Sequence, residues 1–264
     1  MTSVSPVTGH ASPGGPGPRR PLHRFLFGLG LGLLAVTVPG DRVPVRRLDR
    51  AFAAHAAARH PVVAAALAQV SPDAVLIMGN SHAELAGAGA LACGPLVNAG
   101  LAGAQAAEIT AFLAGLPVTR PARLGILIVG TNDILRTATP LSSAARARFS
   151  AEVAASLARL GGQTRSLRVA AVPPIGRDAV GKRDPAAVAV YSEILRGLCR
   201  APTCRFVDPF AVLRADEPGL ARPGALSDTV HLADYPAMLN ALDLCPAERQ
   251  RPPGSEASAS GVSR

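Results

Sequence analysis

At 264 residues the chain holds one sizeable domain plus appendages, and a hydrophobic fraction of 48% supports a real core. Aromatics make up only 3% and Trp is absent, so Ala, Val and Leu carry most of the packing. The net charge of +9 is almost all arginine, with Lys182 the only lysine. These arginines are scattered, with no tract interleaved with aromatics, which argues against a nucleic-acid partner. A solvated basic surface fits better, with attraction to anionic envelope polymers or lipid headgroups as its functional version.

Residues 1–20 are rich in Pro, Gly and Ser and end in Arg19-Arg20. Arg24 then precedes an uncharged run of sixteen residues, 25–40, heavy in Leu and Gly. A basic flank followed by a short apolar segment is the layout of a secretory signal. The run is shorter than the roughly 20 residues that span a bilayer. Four Gly and Pro39 interrupt it, which speaks against a buried core helix. No clean Ala-x-Ala site follows the run, so an uncleaved signal anchor stays open. Arg19-Arg20 lies too far from the apolar stretch for a twin-arginine pattern. Residues 1–40 are therefore read as a leader, and the protein as exported: periplasmic or secreted, with attachment to the inner membrane through this segment left open.

Residues 41–72 form a helical lead-in. The stretch 48–70 is Ala-rich and lacks strand character, and is read as one or two helices broken at Pro61. The main domain, 73–245, then alternates. Apolar runs of strand length cover 74–78, 95–97, 124–129, 168–172 and 205–207. Helix-compatible stretches cover 82–92, 105–116, 142–160, 185–199 and 234–242. Continuous rather than alternating hydrophobic strands indicate burial on both faces, hence a parallel sheet. Five such strands with helices between them predict a three-layer α/β/α sandwich built by right-handed crossovers. Residues 246–264 have little to bury and are read as a disordered tail.

Ligands in such sheets bind beyond the carboxyl ends of the strands. Ser81, Gly103 and Asn132 each fall just past the end of a predicted strand, so the fold brings them to one rim. A serine hydroxyl needs a base within hydrogen-bond reach, usually a histidine oriented by a carboxylate. Of the six histidines, His10 and His23 lie in the leader, and His55 and His60 in the lead-in. His82 adjoins Ser81, where neighbouring side chains diverge. His231 remains, with Asp228 three residues earlier to orient its ring. An oxyanion formed at such a serine needs fixed donors. The N–H of Gly103, the carboxamide of Asn132 and the N–H of Ser81 itself fit that need.

The four cysteines match no zinc spacing, and no histidines cluster near them. Cys199 and Cys204 either close a small disulfide loop or stay as buried thiols; Cys93 and Cys245 are unassigned. Loops 174–183 and 214–227, rich in Gly, Pro and Arg, are expected to shape the acyl and leaving-group pockets.

Four short blocks stand in order: Gly79-Asn80-Ser81, the run 98–103 ending in Gly103, Gly130-Thr131-Asn132-Asp133, and Asp228-Thr229-Val230-His231. In this the chain resembles the SGNH hydrolase superfamily, also called GDSL esterases and lipases, over about residues 74–242. The resemblance implies a flavodoxin-like fold with neither metal nor organic cofactor. It also implies Ser81 as nucleophile, Gly103 and Asn132 as oxyanion donors, Asp228 as orienter and His231 as base. One departure stands out: the family's aspartate before the serine is Asn80 here. His82-Ala83-Glu84 also replaces the common leucine continuation; similar turns occur in branches acting on polysaccharide acyl groups. A Gly-x-Ser-x-Gly elbow is excluded, because the position two after the serine is Ala83. The reading is a serine esterase acting on acyl or acetyl esters of a small or carbohydrate-linked substrate. An O-acyltransferase on envelope polysaccharide, or an inactive carbohydrate-binding domain, is the alternative.

Overall fold

The structure, a computed structural model, describes residues 50–116, 120–200 and 202–245. The leader and the tail lie outside the described residues, so neither expectation about them is addressed. The described residues all fall in one compact unit.

Helix α1 (Arg50–Ala68) leads into β1 (Val75–Gly79) and the short helix α2 (Ser81–Leu85). Next come β2 (Gly89–Leu91), β3 (Gly94–Gly100), α3 (Ala106–Ala114), β4 (Leu124–Ile128) and α4 (Ser143–Gly161). The chain closes with β5 (Leu167–Ala170), α5 (Pro185–Leu198), β6 (Cys204–Val207) and α6 (Tyr235–Ala241). Strand order is β2-β3-β1-β4-β5-β6. All pairings are parallel except β2 with β3.

The expected α/β/α sandwich is present, with one correction: the sheet has six strands, and the added edge strand β2 runs antiparallel. The helix expected over 82–92 stops at Leu85, and 89–91 turns back to pair with β3. Gly87, Gly89 and Gly94 disfavour a continuing helix, and Gly87 and Gly94 adopt positive φ angles of 77° and 135°. The break at Pro61 is also corrected. Helix α1 runs through it, although proline removes one hydrogen bond there and crowds the preceding turn. Buried Val63 and Leu67 dock α1 on the core, and Arg59 donates to Gly100 O at 3.0 Å, so tertiary contacts outweigh the local cost.

Alternate residues of each strand feed opposite faces. Leu76 and Met78 of β1 face a core completed by α1, α3, α4 and α5; Val75 and Ile77 face one completed by α2 and α6. Both cysteine pairs are disulfides. Cys199–Cys204 closes the α5–β6 turn, and Cys93–Cys245 ties the β2–β3 turn to the segment after α6.

Strand β1 is the point where the chain reverses direction across the sheet. The strands that follow it, β2 and β3, lie on one side and β4 on the other. The carboxyl ends of β3, β1 and β4 thus flank the topological switch point, the position at which sheets of this kind bind ligands.

Candidate active site

Ser81 opens α2 directly after β1. Gly79 has a φ of 143°, and a Cβ there would stand 1.8 Å from Ile128 O, so only glycine permits the close approach of β1 to β4 at this turn. Asn80 caps α2, its Oδ1 accepting from His82 N at 3.0 Å. An aspartate would offer the same acceptor, so the substitution keeps the cap. The Asn80 Nδ2 is buried and has no partner among the described residues. At the other end of α2, Asn98 Nδ2 reaches the carbonyls of Ala83 and Gly87 at 2.8 and 2.6 Å. That caps the helix carrying Ser81.

The 228–231 turn reaches Ser81 from across the chain. Asp228 Oδ1 accepts from the backbone N–H of Val230 and of His231, both at 2.7 Å. Its Oδ2 stands 2.7 Å from His231 Nδ1, and His231 Nε2 stands 3.0 Å from Ser81 Oγ. Burial alone would raise the Asp228 pKa, but the two backbone donors and the His231 ring outweigh it and hold the value down at about 2. A permanent carboxylate at Nδ1 favours the tautomer with its hydrogen on Nδ1, which leaves Nε2 as the acceptor facing Ser81. Only 8% of Ser81 is exposed.

Gly103 sits third in the turn from Leu101 to Ala104, closed by Ala104 N to Leu101 O at 3.2 Å. Its φ of 81° is the left-handed conformation that position requires. Among the described residues its N–H engages no acceptor. The turn is tied to α2 through Glu84, whose Oε2 accepts from Ala102 N at 2.6 Å and lies 2.9 Å from His55 Nε2. Helix α1 thus braces the glycine turn, and a Cβ added at Gly103 would stand 3.4 Å from the Phe52 ring.

Asn132 follows Gly130, whose φ is 113° and where a Cβ would come within 2.6 Å of Val172. Its Nδ2 donates to Ala104 O at 3.0 Å, joining it to the glycine turn. Gln105 Nε2 donates to the Asn132 carbonyl at 2.8 Å. Of the five residues singled out from the sequence, Asp228, His231 and Ser81 form one chain of hydrogen bonds, and Asn132 joins the Gly103 turn through Ala104 O; Glu84 of the Ser81 helix ties that turn to α2.

His82 is wholly buried, and its Nδ1 meets Tyr235 Oη at 3.3 Å. Burial first, then the charges of His231 and Arg183, lower its pKa to about 3, so it stays neutral at working pH. Its ring lies 5.7 Å from that of His231. The two loops expected to shape the pockets pair with each other: Ile175 N donates to Gly219 O at 3.0 Å, and Ala221 N to Ile175 O at 2.9 Å. Gly176 N donates to Thr229 O at 2.8 Å, fastening the Asp228–His231 turn to them.

Sequence reasoning missed three contributors: Glu84, Tyr235 and Arg183. Glu84 lies three residues after Ser81 on the same short helix, a spacing that was readable. Tyr235 and Arg183 carry no local signal.

The family model described as the GDSL-like Lipase/Acylhydrolase family matches residues 79–234, more than half of the chain. The chain belongs to this family. The family is one of ester hydrolases, and this protein is a hydrolase. Solved structures share its fold. A putative platelet activating factor from Streptococcus pneumonia is 20% identical with a TM-score of 0.60, covering 73% of this chain and 92% of its own. A putative acylhydrolase from Bacteroides fragilis is 16% identical with a TM-score of 0.55, covering 68% and 91%. A GDSL-like lipase from Bacteroides thetaiotaomicron is 15% identical with a TM-score of 0.54, covering 69% and 94%. No curated protein matches the chain. Helix α1, which braces the Gly103 turn, precedes the span matched by the family model.

Proposed function

We propose that this esterase works through Ser81 as nucleophile, His231 as base and Asp228 as orienter, with an oxyanion site made by Gly103, Asn132 and the N–H of Ser81. The observation that carries this is the continuous chain from Asp228 Oδ2 through His231 to Ser81 Oγ, at 2.7 and 3.0 Å, between residues 150 apart in sequence.

As Ser81 Oγ bonds to the substrate acyl carbon, its proton passes to His231 Nε2, and the carbonyl π electrons move onto oxygen. Donors fixed at that oxygen each lower the barrier by about 2.7–4 kcal/mol. The ester C–O bond then breaks, and His231 returns the proton to the departing alcohol. Water, deprotonated by the same nitrogen, attacks the acyl-serine; the Ser81 Oγ–acyl bond breaks, Oγ takes the proton back from Nε2, and the acid leaves.

The substrate class supported here is a short acyl or acetyl ester of a small or carbohydrate-linked alcohol, met outside the cytoplasm. Export is supported by the basic-then-apolar leader and by the pairing of every cysteine among the described residues, which suits an oxidising compartment. Purified protein is to be given p-nitrophenyl acetate, butyrate and decanoate beside acetylated xylan and chitosan, with released acid and acylated glycan both quantified. The reading predicts highest kcat/KM on the shortest chains and free acid as the main product. Preference for decanoate would contradict the acyl class, and acylated glycan exceeding free acid would identify a transferase instead.

A further inference from the structure

A carboxamide has two unlike ends. Asn132 helps an oxyanion only with nitrogen toward it; turned over, its oxygen would repel the same charge. Arg183 decides the matter. A guanidinium carries donors only, and its Nη2 donates to Asn132 Oδ1 at 3.0 Å while its Nε donates to Thr131 O at 2.9 Å. At the opposite end Asn132 Nδ2 spends one hydrogen on Ala104 O, which leaves the second for substrate.

Arg183 is itself well held. Its N–H donates to Ala179 O at 2.8 Å, and the flanking residues pair with the segment after Asn132: Arg136 N to Lys182 O at 2.9 Å, Asp184 N to Ile134 O at 3.0 Å. The side chain is partly buried, where a charged donor on Oδ1 polarises the amide and strengthens the remaining Nδ2–H as a donor.

We propose that Arg183 is a positioning residue for ester hydrolysis, locking the Asn132 carboxamide with its nitrogen toward the developing oxyanion and polarising it. The proposal rests on the reading of Asn132 as an oxyanion donor. Both of the guanidinium's side-chain hydrogen bonds go to the Thr131–Asn132 segment, while Asp228 and His82 feel it through charge.

The test is a double-mutant cycle on the full chain with p-nitrophenyl acetate. Asn132→Ala is expected to lower kcat about 10²–10³-fold, the loss of one oxyanion donor. Arg183→Met is expected to lower kcat about 10–100-fold with KM within about threefold, since the interaction matters only in the transition state. In the Asn132→Ala background the same Arg183→Met change is expected to cost no more than about threefold, because its target is gone. Arg183→Lys, which keeps the charge but lacks the planar fork that now spans both acceptors, is expected to fall between. Added guanidinium chloride at tens of millimolar, against a sodium chloride control, is expected to restore part of the kcat of Arg183→Gly.

Equal losses from Arg183→Met in both backgrounds, or a fall confined to melting temperature, would overturn the proposal. Impaired Asn132→Ala beside unimpaired Arg183→Met overturns it alone. Unimpaired Asn132→Ala overturns the oxyanion reading of Asn132 and this proposal with it.

Discussion

Replacing Asp228 by asparagine separates orientation from folding. The two carboxylate oxygens do different work. Oδ1 takes two backbone N–H groups at 2.7 Å, and Oδ2 faces His231 Nδ1 at 2.7 Å. An asparagine must keep its oxygen on the two backbone donors, since an NH2 there would meet two N–H groups. Its NH2 therefore points at Nδ1 and forces that nitrogen to accept. The hydrogen moves to Nε2, and His231 no longer takes the proton from Ser81. A wrongly tautomerised triad histidine costs roughly 10⁴ in kcat where the acid is buried. Here 53% of the Asp228 side chain is exposed and water competes for its place, so a loss of about 10²–10³ in kcat/KM is expected. The backbone acceptor survives, so the melting temperature should move by less than about 2 °C. Asp228→Ala removes that acceptor and should be measurably less stable. The assay is steady-state hydrolysis of p-nitrophenyl acetate beside thermal melting of both variants. If Asp228→Asn keeps more than a tenth of wild-type kcat/KM with its fold intact, the tautomer argument fails. Because the Asp228 pKa is held at about 2, the acid limb of the wild-type pH profile should not come from this residue; its contribution to stability is present above about pH 4 and is lost only as pH falls through about 2.

Two further outcomes follow from the same structure. The Cys93–Cys245 bridge closes a segment of 152 residues and Cys199–Cys204 one of 5. By loop entropy the first stabilises by about 5 kcal/mol and the second by about 2. The paired Cys93→Ser/Cys245→Ser variant should therefore melt well below the Cys199→Ser/Cys204→Ser variant by calorimetry, and the reverse order would sink that estimate. Asp133, one of the residues lining a cavity of about 40 Å³, accepts from Ala106 N through Oδ1, while its buried Oδ2 has no partner among the described residues. Burial, with Glu108 adding to it, raises its pKa to about 7 against opposing backbone hydrogen bonds. A raised carboxyl contributes stability that is full below about pH 4 and is lost as pH rises through about 7. Asp133→Asn should accordingly gain on wild type between pH 4 and pH 8 in denaturant titrations; a constant difference across that range would contradict the assignment.

How much was legible in the sequence depended on the range of the interaction. The strands around the site were readable because β1 and β4 are buried on both faces and so carry unbroken apolar runs. Ser81, Gly103 and Asn132 followed, since each sits just past such a run. His231 was reached by elimination and by its spacing from Asp228. Strand β2 was hidden: Gly89-Ala90-Leu91 has no strand composition and becomes one only by pairing along the edge of β3. The continuity of α1 through Pro61 was hidden for the same reason, being imposed by docking of Val63, Leu67 and Arg59. Cys93 and Cys245 gave no sign of each other across 152 positions. Arg183 looked like any of the scattered arginines, and only the pairing of 134–136 with 182–184 brings it onto Asn132.

The central claim is that Ser81 carries the acyl group. The most direct measurement is intact and peptide mass spectrometry of the full chain quenched in acid during turnover of p-nitrophenyl acetate, with a fluorophosphonate-labelled sample alongside. The account predicts one acetyl and one phosphonate adduct per chain, both on the peptide containing Ser81 and both absent from Ser81→Ala, which should also lose turnover. An adduct on another residue, or a Ser81→Ala protein that still hydrolyses the ester, would contradict it.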